Sequence, residues 1–511
     1  MRTSPAPAFS ALLLLLLLVA CTAPSETSGT NEDERPNVLF LFTDDQTYTS
    51  IAALGNEEIH TPNIDQLVAR GTSFTHTYNM GGWNGAICMA SRAMLNSGRS
   101  VWRANELSNR WWSGDTSTYH QSWGRQMDQA GYSTYMSGKW HVNAPADTLF
   151  KTARHIRPGM PPDGWQHHKM VALYARHEGK PPLDSVLALQ PPGYNRPLNE
   201  NDSSWDPTDK KYGGFWTGGK HWSEVLTDDG IDYLQIARND DRPFFMYLAF
   251  NAPHDPRQAP PEYVNMYTPG ELAVPKSFQP LYPDKELMGN GQNLRDEALA
   301  PYPRTELAVR KHKQEYYAII THLDAQIGRI LDALEATGKA DNTVIIFTAD
   351  HGLAMGRHGL IGKQSLYDHS VRVPLILAGP GIPAGKQIDT DVYLQDVMPT
   401  TLQLAGVEKP DYVEFNSLLP LMDDPEASGL DAVYLAYVDF QRGIRKDGYK
   451  LLLYPKVPAI KLFDLRNDPE EMNNLAADPA QADRINSLFS ELQQMQSDMD
   501  DELVLRREDY R

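Results

Sequence analysis

Asn37-Val-Leu-Phe-Leu-Phe-Thr43 runs straight into Asp44-Asp45, and Thr343-Val-Ile-Ile-Phe-Thr348 runs through Ala349 into Asp350-His351. Neither run alternates apolar with polar residues, as a strand wetted on one face would, so both read as strands covered on both sides. Helical patterns fall between them. Pro62 to Arg70 (PNIDQLVAR) is closed by Gly71, and Glu315 to Thr337 repeats apolar residues at helical spacing and stops at Gly338. Buried strands alternating with helices predict an α/β fold, and such sheets place ligands beyond the carboxyl ends of their strands. Here two of those ends are acidic.

The chain has 511 residues, too many for one simple core, so a large domain with a smaller companion is expected. We read residues 37–425 as the main domain. Gly159 to Trp222, rich in Pro, Gly, Trp and Asp and without a clear period, is expected to form long substrate-facing loops. After about residue 425 the pattern changes. Short strand-like runs (VYLAYV, YKLLLY and Ile460 to Leu465) precede an acidic amphipathic helix from Pro479 to about Leu503, which predicts a small antiparallel sheet plus helix over 426–511.

The N-terminus has its own character. Arg2 precedes an unbroken apolar run, Ala11 to Ala20, of signal-peptide length, ending Leu18-Val19-Ala20-Cys21, which resembles a bacterial lipobox. The expectation is a lipoprotein signal peptide at 1–20, then a lipidated Cys21 and a flexible tether through residue 36. The protein would then be exported, bacterial and held to a membrane by lipid on Cys21. Cys21 and Cys88 are the only cysteines, so lipid on the first leaves the second as a lone thiol, either inert packing or reactive. A net charge of -19 argues against nucleic acid as a partner. Any anionic substrate must therefore be captured by local cations.

Cys88-Met-Ala-Ser-Arg92 leads into Ser97-Gly98-Arg99. A helix starting at or just after Cys88 would put Ser91 and Arg92 on the cysteine's face and favour an anion at its N-terminus. This block resembles the signature of the type I sulfatases, in which a maturation enzyme oxidises the cysteine to formylglycine. The family usually carries proline where this chain has Ala90. Further blocks follow in the family's order: Asp44-Asp45 after their strand, Thr61-Pro62-Asn63-Ile64-Asp65, Gly138-Lys139-Trp140-His141, Ala252-Pro253-His254-Asp255-Pro256, and Thr348 to Gly352 leading on to Lys363. Ile444-Arg445, Tyr449-Lys450 and Phe463 to Glu470 also look like the family's C-terminal subdomain.

The resemblance, closest to bacterial polysaccharide sulfatases and iduronate-sulfatase-like enzymes, implies an alkaline-phosphatase-like fold with a large mixed sheet flanked by helices. It implies a metal held by Asp44, Asp45, Asp350, His351 and the matured Cys88. Carboxylates suit a hard cation, so Ca²⁺ is expected ahead of Mg²⁺; His351, where many members have asparagine, keeps Zn²⁺ open. It further implies that Arg92, Lys139 and Lys363 bind and polarise a sulfate group. One hydroxyl of the hydrated aldehyde attacks sulfur, His254 protonates the leaving alcohol with help from Lys363, and His141 takes the proton of the second hydroxyl. The expected substrate is a sulfated saccharide, and tryptophans between Trp83 and Trp222 are candidate stacking platforms. His167, His168, Arg257 and His358 are weaker candidates for sugar contacts. Two rivals stay open: a phosphatase or phosphodiesterase of the same superfamily, and a non-catalytic glycan-binding lipoprotein.

Overall fold

The computed structural model describes Met1 and residues 35–510 apart from 287, 292, 293 and 425; the expected signal peptide beyond Met1, Cys21 and nearly all of the expected tether lie outside the described residues. The run Asn37–Thr43 forms the centre of a nine-stranded sheet. Thr343–Ala349 pairs with it on one side and Phe244–Ala249 on the other, both parallel, and Ser133–Lys139 adds in parallel beyond Phe244–Ala249. Arg372–Ala378 is antiparallel to both of its neighbours, Thr343–Ala349 and Gly71–Tyr78, which makes the sheet mixed. The expected α/β architecture is thus observed.

The absence of alternation in the central strand has a visible cause. Leu39 and Leu41 pack on one face with Ile319, Ile320, Leu323 and Ile327 of a long helix, while Val38, Phe40 and Phe42 pack on the other with Trp123 and Tyr247. Burying each such side chain contributes roughly 1.5–3 kcal/mol, so both faces demand apolar residues. The long helix spans Glu306–Thr337, nine residues earlier at its start than its apolar period suggests. Thr305 caps it by accepting from the Ala308 amide at 3.1 Å, and the first turns carry Arg310, Lys311 and Lys313, which mask the repeat.

The second sheet has five strands, in the order Ala459–Asp464, Tyr449–Tyr454, Gln441–Lys446, Val433–Tyr437 and Gly81–Gly82. Four are antiparallel as expected, but Gly81–Gly82 pairs in parallel with Val433–Tyr437, so the sheet is not purely antiparallel and reaches back to the segment before Cys88. Gly81 has φ 95°, and a Cβ there would lie 1.9 Å from the Ala436 carbonyl oxygen, so only glycine permits this pairing. Gln441–Lys446 escapes a reading by apolar pattern because it buries Arg442 and Arg445. The terminal helix, Ala482–Asp498, is shorter at both ends than its sequence pattern. The expectation of loops over 159–222 also needs correction, since His167–Arg176 and Leu183–Leu187 are helical and Trp216–Thr217 pairs with Lys220–His221.

Candidate active site

Register decides where the chemistry sits. Thr43 pairs with Ala349, Phe42 with Ala249, and Gly138 also with Ala249, so four adjacent parallel strands end at one level. Their next residues are Asp44-Asp45, Asp350-His351, Lys139 through His141, and Asn251 through His254. The close pairing at Gly138 (φ 94°) leaves no room for a Cβ, which would fall 2.0 Å from the Ala249 carbonyl oxygen. Asp45 (φ 64°) and His141 (φ 53°) occupy the left-handed region, a strained backbone for residues with side chains and one that accumulates at functional sites.

Cys88 enters from above the strand ends as the second residue of the helix Ile87–Ser97. It is 2% exposed, on the floor of a cleft of about 600 Å³ that His141, His254 and Lys363 also line. Ligand atoms of Asp44, Asp45, Cys88 and His351 all lie within 4.8 Å of one another. Asp350 adjoins this group, its Oδ1 3.6 Å from His351 Nε2. Its carboxylate accepts from Arg92 Nε at 2.9 Å, from the Asp45 amide at 3.1 Å and from the His351 amide at 3.0 Å. Its carbonyl accepts from Ser91 Oγ at 2.7 Å and from Asn79 Nδ2 at 3.0 Å.

The cations form two layers. Lys363 lies in the upper layer, its Nζ donating to both Asp45 carboxylate oxygens at 2.9 and 3.1 Å and to His254 Nε2 at 3.1 Å, and lying 3.4 Å from Cys88 Sγ. Arg92 and Lys139 lie below the floor. Lys139 Nζ meets Asp44 Oδ2 at 2.5 Å, and Arg92 spans Asp350 and the Lys139 carbonyl (2.8 Å) over the Phe42 ring. These contacts tie both cations to the carboxylates of Asp350 and Asp44. His254 Nδ1 is 2.7 Å from the Asp255 carbonyl, which can only accept, so Nδ1 carries the proton and Nε2 faces Lys363.

Charge balance shows what the group lacks. Burial, and then Asp350, hold the Asp44 carboxyl well above the usual range despite Lys139. Burial also opposes ionisation of Asp45, but His254, Lys363 and His351 outweigh it and bring its pKa below the usual value. The Cys88 thiol behaves likewise: burial raises it, and Lys139, Lys363 and His351 together pull it well below an ordinary thiol. Asp44 Oδ1 and His351 Nε2 are buried without a hydrogen-bond partner. Orphaned donor atoms converging among carboxylates fit a divalent cation, which would supply the missing positive charge.

Of the weaker sequence candidates, His167 lines the cleft; His168 is exposed and not on its wall. Arg257 is buried, 3.4 Å from His312, and His358 stacks on Tyr367 beside a different cavity. Among the tryptophans with described side chains only Trp165 lines the cleft; Trp111, Trp123, Trp140 and Trp222 are core. Sequence reasoning missed Arg295, Asp296 and Gln364 on the cleft wall. It also missed Glu297, whose carboxylate accepts from the Ile361 and Gly362 amides just before Lys363. Arg295, Asp296 and Glu297 sit in a stretch without period or motif, so nothing in the pattern singled them out, and Gln364 directly follows Lys363.

A doubly covered mixed sheet with a buried cysteine, histidines, lysines and metal-type ligands at its carboxyl edge defines an α/β protein of the alkaline-phosphatase-like architecture. The family model "Sulfatase" matches residues 36–407, and a second, "N-sulphoglucosamine sulphohydrolase, C-terminal", matches 356–498. The chain belongs to the sulfatase family and is a sulfatase enzyme. It is 29% identical to an arylsulfatase of Clostridium perfringens, covering 89% of this chain and 93% of that one. To an N-acetylglucosamine-6-O-sulfatase of Bacteroides thetaiotaomicron it is 25% identical, covering 96% and 90%. In fold it is similar to a protein solved with its substrate D-glucosamine-2-N,6-O-disulfate (TM-score 0.66, 22% identity, 92% of this chain and 99% of that chain). It is also similar to a phosphonate monoester hydrolase from Silicibacter pomeroyi (TM-score 0.69, 20% identity, 93% and 98%).

Proposed function

We propose that this sulfatase removes sulfate from a sulfated saccharide, with residue 88 matured to formylglycine beside a Ca²⁺ ion held by Asp44, Asp45, Asp350 and His351. One observation carries the reading: the ligand atoms of Asp44, Asp45, Cys88 and His351 converge within 4.8 Å on the floor of the cleft, with Lys363 donating to Asp45 beside them. When present, the ion and the hydrated aldehyde would supply Lewis-acid polarisation of sulfate and an oxygen nucleophile at position 88. Sugar as substrate draws on the likeness to the N-acetylglucosamine-6-O-sulfatase of Bacteroides thetaiotaomicron and to an ulvan-active sulfatase of Formosa agariphila.

The chain's own groups divide the remaining work. Lys363 Nζ, between Cys88 Sγ and His254 Nε2, compensates charge on the sulfate and relays a proton. His254, with Nδ1 fixed on the Asp255 carbonyl, presents Nε2 to the leaving alcohol and delivers that proton there. Burial lowers the pKa of His141 although the neighbouring Cys88 acts the other way, which favours a neutral ring able to accept a proton at residue 88. Gly159 packs on this ring so closely that a Cβ would come within 2.5 Å of Cε1, fixing the imidazole's direction.

The test is a side-by-side assay of matched sulfate, phosphate and phosphonate monoesters, with metal content measured on the same sample. Preferential sulfate release by protein retaining about one Ca²⁺ supports the reading, and preferential phosphate or phosphonate release overturns it. We also propose export and lipidation at Cys21, which rest on Arg2, the apolar run Ala11 to Ala20 and the Leu18 to Cys21 pattern. Membrane fractionation with Cys21→Ser tests them, since a variant that stays with the membrane contradicts the anchor.

A further inference from the structure

Lys363 reaches the reacting atoms from a stretch of chain with no regular structure of its own. Between the short helical turn Arg357–Gly359 and the helix Asp368–Val371 there is neither helix nor strand, so the buried amides there have no ladder to satisfy them. Side chains take that part on both sides of Lys363. Glu297 Oε1 accepts from the Ile361 amide at 3.1 Å and the Gly362 amide at 2.9 Å, Gln364 Oε1 from the Lys363 amide at 3.1 Å, and Gln441 Oε1 from the Leu366 amide at 3.2 Å. Glu297 is the one charged group of the three, and it is 0% exposed. Its Oε2 accepts from the Tyr302 hydroxyl at 2.8 Å and from the Arg304 guanidinium, whose Nε donates to the Gly359 carbonyl at 3.1 Å. The buried pair thus grips this stretch by a carbonyl and by two amides. Gly362 permits the approach, since a Cβ there would fall 2.7 Å from Gln364 Oε1 and 2.8 Å from Asp296 Cβ. A buried ion pair is weak evidence for stability, because apolar residues of similar volume often serve as well.

We infer that Glu297, paired with Arg304, is a positioning residue: it fixes the backbone just before Lys363 so that Nζ is held 3.4 Å from Cys88 Sγ and 3.1 Å from His254 Nε2, where it serves the departing alcohol. The inference rests on the role proposed for Lys363. Glu297 is fully buried and acts on the reacting atoms only through the chain. A lysine side chain has many rotamers, so its ammonium stays on a shared contact with Asp45, residue 88 and His254 only while its own backbone is fixed. A misplacement of about 1 Å in such a group can cost about 10²-fold in rate.

The experiment uses the full-length enzyme, matched by mass spectrometry for the aldehyde fraction at residue 88, and compares kcat for 4-nitrophenyl sulfate and phenyl sulfate. Phenolate is the more basic leaving group, so its departure leans harder on Lys363 and His254. Lys363→Ala is expected to lower phenyl sulfate turnover about 10-fold further than 4-nitrophenyl sulfate turnover. Glu297→Ala should reproduce that bias, and Glu297→Gln, which keeps an acceptor for the two amides, should recover part of the loss. Because Glu297→Ala strands a buried guanidinium, Glu297→Met combined with Arg304→Met removes the pair as a unit, and it should show the same bias with circular dichroism unaltered. Equal losses on the two esters, or no loss, in folded Glu297 variants while Lys363→Ala keeps its bias overturn this inference alone. If Lys363→Ala shows no bias, the role given to Lys363 fails and takes this inference with it.

Discussion

The two sheets bury charge in opposite ways. In the C-terminal sheet, Arg442 pairs with Asp501 through two bonds of 2.7 and 2.9 Å, and the same carboxylate also accepts from Tyr434 and Gln496. Both oxygens of Asp501 are satisfied by the protein itself. At the carboxyl edge of the large sheet, Asp44 has one oxygen on Lys139 and one without a hydrogen bond, His351 Nε2 makes no hydrogen bond although it lies 3.2 Å from Asp45 Oδ1, and burial works against the ionised Asp44. A closed network of buried charge reports on folding, while an open one reserves its free atoms for a ligand.

Substitutions should separate the two accordingly. Cys88→Ala is expected to lower kcat by at least about four orders of magnitude, measured as sulfate release, because no other group replaces the nucleophile. Asp44→Asn should abolish stoichiometric Ca²⁺ binding by calorimetry along with most turnover. A variant still binding one ion per chain with unchanged affinity would remove Asp44 from the ligand set. Lys363→Ala should cost about 10² to 10³ in kcat, as loss of one preorganised donor does, with circular dichroism unaltered.

Arg442→Met tests the other side. Stranding Asp501 should cost about 3–5 kcal/mol in denaturant titrations, yet leave kcat per folded molecule unchanged. If instead kcat fell at constant stability, the closed network would have a role in catalysis. The smallest effect is expected at His358, where burial pushes the pKa down to about 3 from an ordinary 6.5. A depressed histidine contributes stability above pH 6.5 that is lost as pH falls toward 3, so His358→Phe should flatten the acid limb of stability against pH without moving kcat at pH 7.

The same contrast explains what the sequence made legible. Asn37–Thr43 and Thr343–Ala349 advertise themselves because both faces are apolar, and their acidic termini mark the site. Cys88, Lys139, His141, His254 and Lys363 each stand in a short block that resembles the family. Gln441–Lys446 is hidden because Arg442 and Arg445 are buried by pairing, with Asp501 and Asp391, which no local pattern encodes. The layering of Arg92 and Lys139 beneath the floor depends on strand register, and the place of Arg295 on the cleft wall depends on its pairing with Asp163 and Asp255, which lie far away in sequence. Charge meaning in these places comes from three-dimensional pairing.

The account stands on the identity of residue 88 in working enzyme. The direct measurement is the fraction of the peptide spanning Cys88 that mass spectrometry finds as aldehyde, set against turnover for preparations matured to different extents. Sulfate release should rise in proportion to that fraction and extrapolate to zero at full thiol. Undiminished turnover in material whose residue 88 is cysteine throughout would contradict it.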